Sequence, residues 1–265
     1  MPDLPQPSMP QTGPEPKAVI PAATAIIFRH GRDGEAAEIL MVQRSRAMRF
    51  AGGAAVFPGG RVDPADHALA ERLAPRADRA LTAARIAAIR ETLEETGLAI
   101  AVTRKIPAAE AIAARRMLLE DGALAPVLDR FGWALDLEAL TPFAHWCPDF
   151  HRAFDTRFFL ADLGTGDVDI AVDETENTHL FWTSAQSALD KARAGEISVI
   201  FPTQRNLERL AQFATFAQAH AHARRTPVRK ITPFAAERDG ERWLMIPEGL
   251  GYPILGEPAA STDRG

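Results

Sequence analysis

Three glutamates stand close together in the segment RETLEETGL, residues 90–98. If this segment is helical, the offsets of three and four residues place Glu91, Glu94 and Glu95 on one face, within one turn. Like charges at this spacing repel each other, and the neighbouring Arg90 compensates only part of the charge. The cluster therefore predicts a bound cation, and Mg²⁺ and Mn²⁺ are the ions that prefer carboxylate oxygens.

A pair of glycines in the upstream segment FPGG, residues 57–60, belongs to the same chemistry. Because glycine has no Cβ, Gly59 and Gly60 allow the backbone to approach a phosphate group closely. A divalent ion on the glutamates would neutralise a pyrophosphate, orient it and lower the pKa of a bound water that attacks phosphorus. The two segments together predict metal-assisted hydrolysis of a phosphate anhydride.

The elements that must position these residues alternate in type along the chain. Period-two and apolar patterns predict strands, and three- and four-residue spacings predict helices. The strands are expected at 18–28, 39–45, 152–163 and 178–184, and the helices at about 78–96, 107–141 with interruptions, 184–196 and 202–225. The first two strands would form a hairpin with a long loop. Gly97 would end the helix at 78–96 in the left-handed conformation. Strands interleaved with helices of unequal length predict an α+β fold.

Composition narrows the class of protein. The 265 residues carry a net charge of −5, which argues against a general binder of nucleic acid. Cys147 is the single cysteine, so neither a disulfide framework nor a multi-cysteine zinc site is available. No apolar run reaches the roughly 18 residues that cross a bilayer, and the N-terminus has no signal-peptide pattern. We therefore expect a cytoplasmic protein without a membrane partner.

The domain organisation is expected to be simple. The proline-dense residues 1–17 predict a disordered tail, and residues 256–265 predict a loose C-terminal end. No linker divides residues 18–255, which are expected to form a single domain.

The glycine pair and the glutamate segment resemble the signature of the Nudix hydrolase superfamily. Gly60 matches its first glycine, and the second half is matched by Arg90, Glu91, Glu94, Glu95, Gly97 and Leu98. Thr92 stands where a hydrophobic residue is usual, and about 16 additional residues separate the two halves. Asp66 and Glu71 are equally available for the first glutamate of the signature, and the choice between them stays open.

This resemblance implies an α/β/α sandwich with a mixed sheet and additional helices, and a requirement for Mg²⁺ or Mn²⁺. It implies that Glu91 and Glu95 bind the metal directly, that Glu94 is a ligand or the water-activating base, and that Arg90 orients a neighbouring glutamate. A further carboxylate would come from a distant loop, where Glu174 is preferred over Glu176. The insert, at about 63–80, is expected to lie over the pyrophosphate site.

A second resemblance concerns the substrate. Residues 40–60, LMVQRSRAMRFAGGAAVFPGG, look like the signature of coenzyme A diphosphatases in this superfamily, as does the long insert together with FDTRFFLA at 154–161. Arg44, Arg49 and Arg157 would then contact phosphate oxygens, which guanidinium groups pair well with. The basic run at 223–230 is a candidate for the 3′-phosphate.

The implied reaction is hydrolysis of CoA or acyl-CoA to 3′,5′-ADP and (acyl-)4′-phosphopantetheine. Two alternatives remain open: a diphosphatase for ADP-ribose, NADH or dinucleoside polyphosphates, and a catalytically silent module that binds a nucleotide. In each case the partner is a small nucleoside diphosphate derivative. The sequence does not fix the oligomeric state, and a homodimer is one option.

Overall fold

A computed structural model describes residues 18–31, 36–44, 53–150, 152–164 and 177–262. The predicted N-terminal tail at 1–17 lies outside these ranges. None of the described helices is long and apolar enough to cross a membrane.

Eleven strands are present in the described part of the chain, eight of them in one sheet. They are β1 (Ile20–Arg29), β2 (Glu38–Arg44), β3 (Ala55–Val56), β4 (Gly59–Arg61), β5 (Thr141–Trp146), β6 (Phe154–Asp162), β7 (Asn177–Thr183), β8 (Lys230–Ile231), β9 (Phe234–Arg238), β10 (Glu241–Met245) and β11 (Gly256–Pro258). The four strands expected from the sequence are β1, β2, β6 and β7, and all four are confirmed.

The eight-stranded sheet is mixed. Its main path runs β3-β2-β1-β6-β5-β8, with β4 attached to β1 and β7 attached to β2. β1 pairs with β2 in antiparallel fashion, which confirms the hairpin, and with β6 in parallel fashion over nine residue pairs. β2 and β4 share one edge of β1. β2 forms hydrogen bonds with the C-terminal end of β1, and β4 forms them with the stretch around Ala23. This sharing brings the glycine pair of β4 onto the central strand.

Helices cover both faces of the sheet. They are α1 (Pro64–Leu73), α2 (Arg79–Thr96), α3 (Ala108–Asp121), α4 (Leu124–Phe131), α5 (Ala185–Arg193), α6 (Phe201–Leu210), α7 (Phe216–Arg225) and α8 (Ala259–Thr262). A short 3₁₀ turn at Leu137–Ala139 follows α4. The predicted α+β class, with a mixed sheet and additional helices, is confirmed.

Two hydrophobic clusters, one on each face, hold the layers together. Ile86, Leu93 and Leu118 pack with Ala23 and Phe159 of the sheet beneath α1 to α4. On the other face, α5, α6 and α7 and the C-terminal segment pack on the alternate residues of the same strands, including Ile26, Met41 and Leu160. Burial on both faces explains why the central strands are almost continuously apolar.

Two expectations about the C-terminal third are wrong. The helix expected at 202–225 is two helices, because α6 ends at Leu210 and Thr215 begins α7 by accepting a hydrogen bond from the Gln218 N–H. The expected loose end at 256–265 instead contributes β11, which pairs with β10 in a separate three-stranded sheet with β9. Arg205 of α6 anchors this strand by donating to the Gly256 carbonyl oxygen at 3.2 Å.

Candidate active site

The glutamates lie on α2, whose two ends are fixed by local signals. Asp78 caps its first turn by accepting from the N–H groups of Ala80 at 2.9 Å and Leu81 at 3.1 Å. Gly97 ends it in the left-handed conformation, with φ 77°, and donates to the Leu93 carbonyl oxygen, as the sequence predicts. The cap fixes the C-terminal turn that carries Glu94.

Thr92, the departure from the family signature, is fully buried on the inner face of α2. Its hydroxyl donates to the Ala88 carbonyl oxygen one turn earlier, at 2.7 Å. A buried hydroxyl that has a partner carries little penalty. The threonine therefore occupies a hydrophobic position without disturbing the face that bears the glutamates.

The glycine pair of β4 lies directly against this face. A Cβ on Gly60 would come within 2.6 Å of Glu91 Oε2, and a Cβ on Gly59 within 2.7 Å of the Thr24 Cα atom. Glu95 Oε2 accepts a hydrogen bond from the Gly59 N–H at 3.0 Å. Glycine is thus required at Gly59, where a Cβ would meet the backbone of β1, whereas a Cβ on Gly60 would fit only if the Glu91 carboxylate moved.

Arg90 is buried at the centre of the acidic group and pairs with Asp66 of α1. Arg90 donates from Nε to Asp66 Oδ1 at 3.1 Å and from Nη2 to Oδ2 at 3.0 Å. It also donates to Glu91 Oε1 at 2.8 Å and lies 3.5 Å from Glu94 Oε2. Arg90 therefore links the insert to two of the three glutamates.

The choice that the sequence leaves open between Asp66 and Glu71 is settled by this geometry. Asp66 is buried and also accepts from the Asp63 N–H at 2.9 Å, which closes the first turn of α1. Glu71 points to solvent and pairs with Arg79 at 3.2 Å. Asp66, and not Glu71, is thus the acidic residue of the insert that meets Arg90 and is the candidate for the first acidic position of the signature.

The insert does not lie over the site, contrary to expectation. Leu69 and Ala70 of α1 are buried against α2, and Arg72 pairs with Asp129 of α4 at 3.0 Å. Of the residues at 63–80, Asp63 alone lines the cleft described below. The physical reason is that α1 has an apolar face, which is buried only by packing behind α2.

A cleft of about 790 Å³ opens beside the glutamates and runs along the sheet. At one end, Gly59, Gly60, Glu91 and Glu94 form its wall, and Arg44, Arg61 and Arg90 stand around them. Its floor is one face of β1 and β6, and its other wall is the start of α6. The far end lies at the start of β6 and is mostly apolar, with the lining residues Pro148, Phe150 and Phe154 joined by Arg152, whereas Trp146 and Phe158 line the cleft level with Ala22 and Thr24 of β1.

The predicted site residues are only partly brought together. Arg44, Gly59, Gly60, Arg90, Glu91 and Glu94 line the cleft, whereas Glu95 is held behind them by Gly59. Arg49 and Glu174 lie outside the described residues. Arg157 does not reach the cleft: side chains alternate along β6, and Phe154, Thr156 and Phe158 are the ones that face it.

The basic run at 223–230 does not line the cleft either. Lys230 pairs with Asp155 at 3.4 Å, on the face of β6 that carries Arg157. Arg224 lines a separate depression of about 250 Å³ together with Arg85 and Glu138. The 3′-phosphate assignment for this run is therefore not supported by its position.

Sequence reasoning missed several residues of the cleft, among them Arg61, Arg152 and Thr156. Phe154 and Phe158 of β6 line the cleft, and Phe158 also belongs to the buried cluster on that face of the sheet. Their two-residue spacing with Thr156 is the signal that one face of this strand is lined differently from the other.

The electrostatics of the acidic wall favour a cation. Burial raises the pKa of Glu91 to about 7; Arg90 opposes this shift and the neighbouring Glu94 adds to it. Burial by itself would lower the pKa of Arg90, but Asp66, Glu91 and Asp63 outweigh it and raise that pKa. One arginine thus serves several carboxylates, and a cation bound at Glu91 would offset the cost that burial places on its charged form.

The donor set fits a hard divalent ion, since it consists of carboxylate oxygens next to a backbone without side chains. Within the described part of the chain, no three acidic, histidine or cysteine side chains converge into a metal cage by themselves. Ions of this kind commonly take only one or two protein carboxylates and complete their shell with water and substrate phosphates.

Two comparisons connect this geometry to known proteins. A Nudix hydrolase of Alicyclobacillus acidocaldarius has a similar structure, with a TM-score of 0.67 and 30% identity, covering 77% of this chain and 96% of the other. The acyl-coenzyme A diphosphatase NUDT19 of Gallus gallus is 28% identical in an alignment of 266 positions that covers 79% of this chain and 68% of the relative. No protein-family model matches the chain.

Proposed function

This chain belongs to the Nudix hydrolase family, and from that premise we propose that it hydrolyses the pyrophosphate of CoA or acyl-CoA. The products would be 3′,5′-ADP and (acyl-)4′-phosphopantetheine, and the reaction would require Mg²⁺ or Mn²⁺. Similarity to an acyl-coenzyme A diphosphatase supports the substrate class. The observation that carries the proposal is the cleft itself, which combines three carboxylates, four arginines and an apolar far end.

The parts of the substrate match the charged end and the apolar end of the cleft. A pyrophosphate needs cations around it, and Arg44 and Arg61 stand beside the glutamates, where guanidinium groups can pair with phosphate oxygens. A nucleotide base and a pantetheine chain both present apolar surface, which the aromatic end of the cleft can bury. The Gly59–Gly60 backbone lets the substrate approach without a clash.

Glu91 and Glu94 would hold the metal, with Glu95 behind them, and Glu174 is the proposed additional ligand. When bound, the ion would neutralise the pyrophosphate and make an attacking water more acidic. Glu94 faces the cleft and would accept the proton of that water as the general base. Arg90 holds Glu91 by a hydrogen bond and would keep its carboxylate directed at the cleft.

The test is product analysis with CoA, ADP-ribose and NADH, each with Mg²⁺, with Mn²⁺ and with excess chelator. Glu94→Gln keeps the size of the side chain and removes its charge, and Glu120→Gln, at an exposed position on α3, is the matched control. We expect 3′,5′-ADP to appear from CoA only with metal, to fall at least 100-fold in Glu94→Gln and to be unchanged in Glu120→Gln.

The other outcomes assign the other functions. Cleavage of ADP-ribose or NADH in preference to CoA would support the metal chemistry but overturn the assignment of CoA as the substrate. Binding of nucleotides in Mg²⁺ without any product would overturn the enzymatic proposal and favour the silent module. Full activity in the presence of chelator would overturn the role given to the glutamates.

A further inference from the structure

We propose that the far end of the cleft is a subsite for the 3′-phosphorylated nucleoside, in which Arg152 binds the 3′-phosphate and Phe150 contacts the base. This inference rests on the proposed function and deepens it, because it names the residues that would distinguish CoA from a diphosphate without the 3′-phosphate. The reasons come from the backbone, the pairing and the surroundings of Arg152.

Arg152 lies in the cleft and is held there by its backbone. Its N–H donates to the Ala18 carbonyl oxygen at 2.7 Å, and the Ile20 N–H donates to the Ala153 carbonyl oxygen at 2.8 Å, so the parallel pairing of β1 and β6 continues through the turn. Its φ is +62°, a conformation that residues with a Cβ rarely adopt. Such outliers persist where the surrounding structure imposes them, and they are frequent at ligand-binding positions.

The charge of Arg152 is not paired within the part of the chain that the structure describes. Among the arginines that line the cleft, Arg90 is engaged with Asp66 and Glu91. The guanidinium group of Arg152 makes no hydrogen bond and no ion pair with any residue in the described ranges, and the residue is exposed. An exposed guanidinium at the rim of a cleft is available for a phosphate group, with which it can form two parallel hydrogen bonds.

The neighbours of Arg152 suit a purine ring. Phe150 is 54% exposed although it lines the cleft, and Phe154 follows Arg152 on the same face. Pro148 adds apolar surface at this end of the cleft. Aromatic side chains stack on nucleobases, and large exposed aromatic rings in a cleft commonly mark a binding site.

The separation of Arg152 from Arg61 fits one nucleotide. Arg61 is level with Ala22 of β1, and Arg152 is level with Ala18, so the two backbones are offset by four residues along the sheet. At the rise of a strand this offset is about 13 Å along β1, and because β4 and β6 flank β1 on opposite sides, about 10 Å across the strands is added, which gives roughly 16 Å between the two backbones. The two long side chains can extend into this gap from its ends. They would bracket a ribose that carries a diphosphate on one side and a phosphate on the other.

The experiment compares CoA with dephospho-CoA, which differs only in lacking the 3′-phosphate. In Arg152→Ala we expect kcat/KM for CoA to fall about 10- to 100-fold, mostly through KM, as for the loss of a charged hydrogen bond. The value for dephospho-CoA should change less than about threefold. Arg152→Lys keeps the charge and should recover part of the loss for CoA.

Arg61→Ala is the matched control, because Arg61 lies in the same cleft beside the glutamates. Arg61→Ala should lower kcat/KM for CoA and for dephospho-CoA by a similar factor. Equal losses in Arg152→Ala, no loss at all, or a CoA-selective loss in Arg61→Ala would each overturn the assignment of Arg152 while leaving the proposed function intact.

A binding measurement separates the inference from the proposed function. Titration calorimetry of the intact protein should show 3′,5′-ADP bound at least tenfold more tightly than 5′-AMP, and Arg152→Ala should lose this difference. If the protein does not cleave CoA, the proposed function fails, and a preference for 3′,5′-ADP that depends on Arg152 would still support the subsite. Equal binding of both nucleotides by the unaltered protein would overturn it.

Discussion

Replacing Asp66 with asparagine removes the charge that faces Arg90 and keeps the shape of the side chain. Asp66 is 2% exposed and the Arg90 side chain 4% exposed, and two hydrogen bonds of 3.1 and 3.0 Å join them. Removing one partner of a buried ion pair costs about 3–5 kcal/mol, because the other charge is left without compensation. We expect the lower end of this range, since Arg90 keeps Glu91 at 2.8 Å.

The assay is urea-induced unfolding followed by fluorescence, together with thermal unfolding. A loss of about 3 kcal/mol should lower the urea midpoint with an unchanged slope, and should lower Tm by roughly 6–12 °C for a chain of this size. Glu71→Gln is the control, because the Glu71–Arg79 pair has side chains 65% and 59% exposed. It should change the free energy of unfolding by less than about 0.5 kcal/mol.

Two results would refute this reasoning. If Asp66→Asn unfolds within about 1 kcal/mol of the unaltered protein, the pair is not the buried anchor described here. If Glu71→Gln is as destabilising as Asp66→Asn, the insert is held by its surface pair, and the assignment of Asp66 to the signature position loses its support.

Three further predictions concern single side chains. Gly60→Ala should lower kcat at least tenfold in the product assay, because the new Cβ would displace the Glu91 carboxylate, which would lie 2.6 Å away; unchanged kcat would contradict the close approach. Thr92→Val should change the urea-derived free energy of unfolding by less than about 1 kcal/mol, because the lost hydroxyl bonds only a carbonyl that the helix already uses. Burial raises the pKa of Tyr252 to about 12, against the effects of Arg209 and Trp146. The folded state therefore favours the neutral phenol, and the stability that this provides is present below about pH 10 and lost as the pH rises through 12. Between these pH values the free energy of unfolding of the unaltered protein should fall by about 2–3 kcal/mol more than that of Tyr252→Phe. Urea unfolding at each pH measures this difference.

The elements around the site follow closely from local sequence patterns. The carboxylate face of α2 and its end at Gly97 depend on offsets of three and four residues and on one cap, all within a single segment. The hairpin of β1 and β2 likewise depends on neighbouring segments. The break between α6 and α7 is missed because the helical pattern continues through residues 211–215, where the capping threonine interrupts it.

The sequence by itself determined the chemistry, because a glycine pair, an arginine and a set of glutamates resemble one family's signature. It also determined the fold class, because the alternating strands and helices predict an α+β fold. Tertiary structure alone decided which acidic residue of the insert meets Arg90, because Asp66 and Glu71 are distinguished only by which side of α1 packs against α2. It also decided that Arg157 faces away from the cleft while Arg152 faces it, since both lie in or beside β6 and nothing local indicates which face of the strand is open. Side-chain direction in a strand alternates with every residue, so a position in the sequence acquires a role only when the layers on both faces are in place.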